Sequence, residues 1–335
     1  MLDRFFFRWE VKLAEKDQNR SARPFEWGID FVGDNIVGLN PRQHLMDYAA
    51  AALNNSDRHH AYARVADFHL EGNHLTFASP LPGRYEKNNT VHGWHFPADS
   101  GGRAVLVLPQ WNADLNGHMA LCRLLNRFGL SALRLSLPYH DLRMPEELVR
   151  ADYMLSPNLG RTLQAVRQAV IDARAALDWL ESIGYRRFAI LGTSLGSCVA
   201  LITQAHDPRL QSAVLNHVST YFADVVWTGL STRHVRAGLE GHIELEDLRK
   251  IWMPISPRAY FEKVAGTGKS ALLVHARYDY SFLPQLSRQV LDDYRRLNIP
   301  HAQLRMPCGH YSSGQFPFNI TLGLAICAYL RRAMR

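Results

Sequence analysis

The chain has 335 residues, 47 % of them apolar, with ordinary numbers of Gly (22) and Pro (16). That is ample for a sizeable core and speaks against extended disorder. The formal charge of +7 comes from 38 Lys and Arg against 31 Asp and Glu. Because the basic residues are scattered, with short pairs at Arg186-Arg187, Arg295-Arg296 and Arg331-Arg332, composition offers no nucleic-acid tract and at most favours an anionic substrate or surface.

Four widely spaced cysteines, Cys122, Cys198, Cys308 and Cys327, lack any metal-ligand or redox spacing. They read as buried thiols of a reducing, cytoplasmic compartment. The aromatic start, Phe5-Phe6-Phe7 and Trp9, is interrupted by charge and lacks a leader-like apolar core. No apolar run reaches transmembrane length. Those rings are expected to pack onto the domain, with peripheral membrane contact as the alternative. Nothing in the pattern sets an oligomeric state.

Residues 1–55 read as an N-terminal extension packed on the core: a helical start, a break at Pro24, a short strand at Gly28 to Val32 and a helix from Pro41 to Leu53. From 56 to 335 the pattern is that of one α/β domain. Tyr62 to Leu70, Leu75 to Ala78 and Thr90 to Phe96 read as strands, forming an antiparallel edge. Buried strands then alternate with helices, the signature of a mostly parallel central sheet covered on both faces. The strands are Ala104 to Leu108, Ser131 to Leu137, Arg187 to Leu191, Ser212 to Val218, Ser270 to Ala276 and Gln303 to Met306. The helices are Gly117 to Phe128, Leu159 to Ile183, Pro284 to Leu297 and Pro317 to Arg332, the last with Ile320, Leu324 and Ala328 inward. Period is lost over 219–268, which reads as a small helical, cap-like insertion before the penultimate strand.

The chemistry gathers around Gly192-Thr193-Ser194-Leu195-Gly196, which sits between an apolar strand and a helical segment. A Gly-x-Ser-x-Gly turn in that context exposes the serine hydroxyl at the head of a helix, where backbone amides face a developing oxyanion. Ligands of open parallel sheets collect at strand carboxyl ends, and Asp279 and His310 each lie just past such an end. Serine, imidazole and carboxylate are the set a nucleophile needs: a base for its proton and an acid to orient that base. Asp224, Asp292, Asp293, Asp114 and Asp141 are rival carboxylates. Tyr139, His140 and Arg143 are candidates for holding a substrate anion, unless Arg143 pairs with an acid to pin its loop. His217, Trp111, Tyr221, Phe222 and Trp227 are candidate pocket residues, with ordinary core packing as the alternative.

Strand, Gly-Thr-Ser-Leu-Gly, helix, then Asp279 after the penultimate strand and Gly309-His310 after the last, resembles the α/β-hydrolase superfamily over residues 90–335. The Tyr139-His140-x-x-Arg143 loop and the late insertion are similar to the abhydrolase-18-like group and, more loosely, to acetyl-esterase and dienelactone-hydrolase-like members. The resemblance implies the α/β-hydrolase fold, no cofactor, and an oxyanion hole from the Leu195 amide plus one amide after the third strand of the superfamily's core sheet. That loop is usually His-Gly-rich in the superfamily. Here it reads Pro109-Gln110-Trp111-Asn112, leaving Gln110 and Trp111 as candidates. The expected activity is hydrolysis of a small ester or acyl compound through an acyl-serine. A peptidase or amidase with the same triad, and a silent binding protein of the same fold, are the alternatives.

Overall fold

The computed structural model describes residues 2–16, 19–33 and 38–335. Nine strands make one sheet: β1 (Phe68–Glu71), β2 (His74–Ala78), β3 (Thr90–Phe96), β4 (Arg103–Leu108), β5 (Ser131–Leu135), β6 (Arg187–Thr193), β7 (Leu210–Asn216), β8 (Ser270–Ala276) and β9 (His301–Met306). Their spatial order is β1-β2-β3-β5-β4-β6-β7-β8-β9. The first three strands and the β3–β5 seam are antiparallel, and every pair from β5 onward is parallel. The antiparallel edge and the parallel centre both follow the sequence pattern.

Two-residue alternation sends the central strands into two cores. Leu106, Ile190 and Ala213 point to the face covered by the helices Leu159–Ser182 and Leu195–His206. Val107, Leu191 and Val214 point to the face covered by Met119–Arg127 and Phe318–Ala333. Since β6, β7, β8 and β9 run parallel, their carboxyl ends open side by side. Residues after β7 form the short helices Phe222–Thr228, Arg233–Leu239, Leu245–Ile251 and Phe261–Val264 before the chain re-enters at β8.

Three expectations need correction. Gly28 to Val32 is no strand: Gly28 is left-handed (φ 61°) and a 3-10 turn Ile29–Phe31 follows. The Asn158 side chain occupies the place a Gly28 Cβ would take, and the contact there is a single bridge from Glu26 to Asn158 at the head of the long helix. The strand expected from Tyr62 begins only at Phe68; the preceding residues lie outside the sheet, with the Tyr62 hydroxyl donating to Asp178 Oδ2 at 2.8 Å. In the last helix Leu322, Ile326, Cys327 and Leu330 are buried, whereas Ile320 and Leu324 are 51 % and 46 % exposed. That helix is apolar on more than one side, so spacing alone does not choose its inner face.

Candidate active site

Ser194 sits between β6 and the helix Leu195–His206 with φ 55° and ψ −121°, a backbone state that costs a non-glycine residue about 1–3 kcal/mol. The surroundings impose it. The Ser194 N–H donates to Asn216 O at 2.8 Å, and the Ser197 hydroxyl lies 2.7 Å from Ser194 O and 2.8 Å from His217 O. Both flanking glycines are sterically required. A Cβ on Gly192 would come within 2.1 Å of Gly196 O, and one on Gly196 within 2.4 Å of Pro109 O. The second clearance lets the loop after β4 lie directly against the head of the serine helix.

That loop is held by a histidine. His140 Nδ1 lies 2.8 Å from Pro138 O, and the Asn112 N–H donates to His140 Nε2 at 2.8 Å. Only a neutral ring can accept there, and burial lowers the His140 pKa to about 4. The Trp111 indole donates to Ala151 O at 2.9 Å and its ring stacks on His234. With the Asn112 amide spent on His140 and the Ala113 amide on Gln110 O, the amides of Gln110 and Trp111 remain this loop's candidates beside Leu195.

Asp279, just past β8, is 2 % exposed and fully hydrogen-bonded. Its Oδ1 accepts the Ser281 and Phe282 amides at 2.8 and 2.7 Å. Its Oδ2 receives two imidazoles, His310 Nδ1 at 3.1 Å and His217 Nδ1 at 2.8 Å. Burial opposes the charged carboxyl, but His310 and the two imidazole hydrogen bonds outweigh it and hold Asp279 below the usual carboxylate range. Burial likewise disfavours a charged His310, yet Asp279 and, further away, Glu10 more than offset it, raising His310 above its ordinary 6.5. The Phe282 ring lies parallel to His310, 5.3 Å between centroids, and covers one face of that imidazole. His217, Asp279 and His310 bring one potential ligand atom each within 4.8 Å of one another, a grouping that the shared carboxylate oxygen already explains.

Beside Ser194 lies a narrow cavity of about 40 Å³, walled by Trp111, Leu155, Phe222, Val226 and Phe282. Phe222 and Val226 come from the insertion, which therefore supplies one wall.

The remaining sequence candidates lie elsewhere. Tyr139, His140 and Arg143 are at most 1 % exposed and line no part of this cavity. Arg143 is paired with Asp172 at 2.8 Å and donates to Asn88 O and Ser136 O. Tyr221 and Trp227 are also outside the cavity lining, beneath the guanidinium groups of Arg249 and Arg236. Rival carboxylates are engaged: Asp224 with Arg249, Asp293 with Arg258 and Arg296, Asp292 with Arg295, and Asp141 with Arg134. The Asp114 carboxylate accepts the Gly117 amide at 2.9 Å. Sequence reasoning missed Phe282, Ser197 and Glu10. Glu10 shares the buried stripe Phe6, Glu10, Leu13, an acid at a core position that helical spacing could have exposed.

The sequence matches no protein-family profile and no curated protein. Solved structures do match. An acylaminoacyl peptidase of Pyrococcus horikoshii superposes with TM-score 0.61 at 13 % identity over 80 % of this chain, which spans 42 % of the peptidase. An acetyl xylan esterase from Paenibacillus sp. R4 gives 0.58 at 15 % identity over 92 % of this chain and 99 % of its own. An esterase of Pyrococcus furiosus gives 0.56 at 14 % identity over 80 % of this chain and 93 % of its own. The chain has the α/β-hydrolase fold.

Proposed function

We propose that the protein is a serine hydrolase of carboxylic esters, with Ser194 as nucleophile, His310 as general base and Asp279 as the acid that orients it. The observation that carries this reading is the strained Ser194 at a helix head, at the same sheet end as a histidine bonded to a buried, ionised aspartate. In the proposed reaction Ser194 Oγ attacks the ester carbonyl carbon while His310 Nε2 takes the hydroxyl proton. Asp279 keeps the other proton on Nδ1 and stabilises the imidazolium. The oxyanion accepts from the Leu195 amide and from Trp111 or Gln110, each such donor being worth about 3–4 kcal/mol. Collapse of the tetrahedral intermediate breaks the bond to the alcohol oxygen, which leaves with the proton from His310. Water, deprotonated by the same ring, then releases the acid from Ser194.

The cavity beside Ser194 has room for roughly three waters, the space of a short acyl group. The test is turnover of p-nitrophenyl acetate, butyrate and octanoate beside acetyl p-nitroanilide. Rates should fall with acyl length, and the acetyl ester should outrun the anilide. A faster anilide would favour the amidase reading, and no turnover of any of them by folded protein would favour a silent binding fold.

A further inference from the structure

The helix Leu2–Ala14 lies far from Ser194 in sequence, yet its inner side ends on the loop that carries His310. Phe6, Glu10, Leu13 and Ala14 are its buried residues, and Glu10 is 0 % exposed. A carboxylate this deep needs strong partners to be tolerated. Glu10 Oε2 accepts the Tyr311 amide at 2.8 Å, and Oε1 accepts the Ser312 amide at 2.9 Å. These are the two residues directly after His310. On the other side of the histidine, Gly309 donates its amide to Ser312 Oγ at 2.8 Å, closing the turn. Gly309 also makes room for the acid, since a Cβ there would sit 2.3 Å from Glu10 Cδ.

The same helix grips the neighbours of Asp279. Phe6 stacks on Tyr278 with centroids 4.3 Å apart and planes 8° from parallel. Phe7 meets the edge of Tyr280, whose hydroxyl donates to Asp3 O at 3.1 Å. One short helix therefore braces both loops whose side chains form the Asp279–His310 hydrogen bond.

We propose that Glu10 is a positioning residue for His310: its carboxylate clamps the backbone of residues 311 and 312 and so sets where the imidazole points. The inference rests on the reading of His310 as the base. Glu10 does not touch substrate. It acts through two charge-assisted hydrogen bonds from backbone N–H groups, the kind whose loss leaves buried donors unpaired. Its charge adds a second effect. Among the described residues the ionisable groups facing His310 are Asp279, His217, Tyr311 and Glu10, and a negative Glu10 favours the charged ring.

The experiment uses the full chain with Glu10→Gln, Glu10→Asp and Gly309→Ala, read by thermal unfolding, steady-state kinetics with p-nitrophenyl acetate, and NMR titration of the His310 ring. Gln keeps the shape but presents an NH2 to one of two amide donors. In folded Glu10→Gln, kcat should fall ten- to a hundredfold with KM within about twofold, because bound substrate meets a misaimed base. The His310 titration and the acid limb of kcat/KM should both move to lower pH. Glu10→Asp, which keeps the charge, should restore more of the pH profile than of kcat. Gly309→Ala, pushing on the carboxylate from the loop side, should reproduce the kcat loss. Wild-type kcat and an unmoved His310 titration in Glu10→Gln, with an active parent, would overturn this inference alone. An inactive wild-type protein would overturn the proposed function instead.

Discussion

Asp279→Asn is the substitution whose effect the structure specifies most closely. Oδ1 of Asp279 accepts two backbone amides, from Ser281 and Phe282, while Oδ2 accepts from two imidazoles. An asparagine must keep its oxygen on the amides, since turning it would set its NH2 against two N–H donors. The NH2 then replaces Oδ2 and faces His310 Nδ1, which must become an acceptor. That moves the ring proton to Nε2, the nitrogen that should take the proton of Ser194. The result is the wrong tautomer in an otherwise unchanged site, with a cost in kcat of about 10⁴-fold by analogy with other Ser-His-Asp enzymes. This corresponds to about 5.5 kcal/mol of lost transition-state stabilisation. His217 undergoes the same tautomer change, so its bond to Ser313 Oγ, 3.2 Å in the parent, should also reorganise. Turnover of p-nitrophenyl acetate, normalised to folded protein by thermal melting, is the assay. Activity within tenfold of the parent would refute the assignment of Asp279 as the orienting acid.

Other outcomes follow from the same geometry. As the proposed base, His310 must be neutral to act and its pKa is raised, so kcat/KM should climb through an inflection above 6.5; an inflection at or below that value would contradict the Asp279–His310 pairing. His140 is lowered to about 4 in the fold, so between pH 6.5 and 4 the unfolded chain binds a proton that the native one does not. Stability should fall as pH drops through that window, by about 3 kcal/mol from this ring, and His140→Gln should flatten that part of the melting-temperature profile. Arg143→Leu leaves Asp172 buried without its cation, and should cost about 3–5 kcal/mol in denaturant unfolding while KM for a short ester stays unchanged. A raised KM there would return Arg143 to the substrate site. Gly196→Ala drives a Cβ into the carbonyls of Leu108 and Pro109, and should cost about 3 kcal/mol or more in thermal melts.

Much of the fold was legible because parallel strands buried on both faces are written as unbroken apolar runs. Residues 104–108, 187–191 and 270–276 are of that kind, and each lies within a strand whose bounds differ from these by at most two residues. The serine turn was legible for a related reason: the glycines at 192 and 196 record close approaches of backbone to backbone that a Cβ would forbid. The proposed partners of Ser194 could be placed only as residues following strands, since sequence gives an order of loops and not their separation. What stayed hidden was contact between distant segments. His140 supports the loop at 112, the acid that pairs with Arg143 is the distant Asp172, and Glu10 caps the turn at 311 and 312, none of which has a local signature. Of the candidate pocket aromatics, Trp111 and Phe222 do line the cavity, whereas Val226 on the same helix as Phe222 went unmarked because a helix of about two turns carries too little periodicity to mark a face.

The central claim is that Ser194 is a nucleophile activated by His310, and covalent trapping tests it most directly. Folded protein treated with a fluorophosphonate and analysed by peptide mass spectrometry should carry one phosphonyl group on Ser194. The adduct should vanish in Ser194→Ala and form far more slowly in His310→Ala. Folded wild-type protein that stays unmodified, or that is labelled at another residue while Ser194 remains free, would contradict the account.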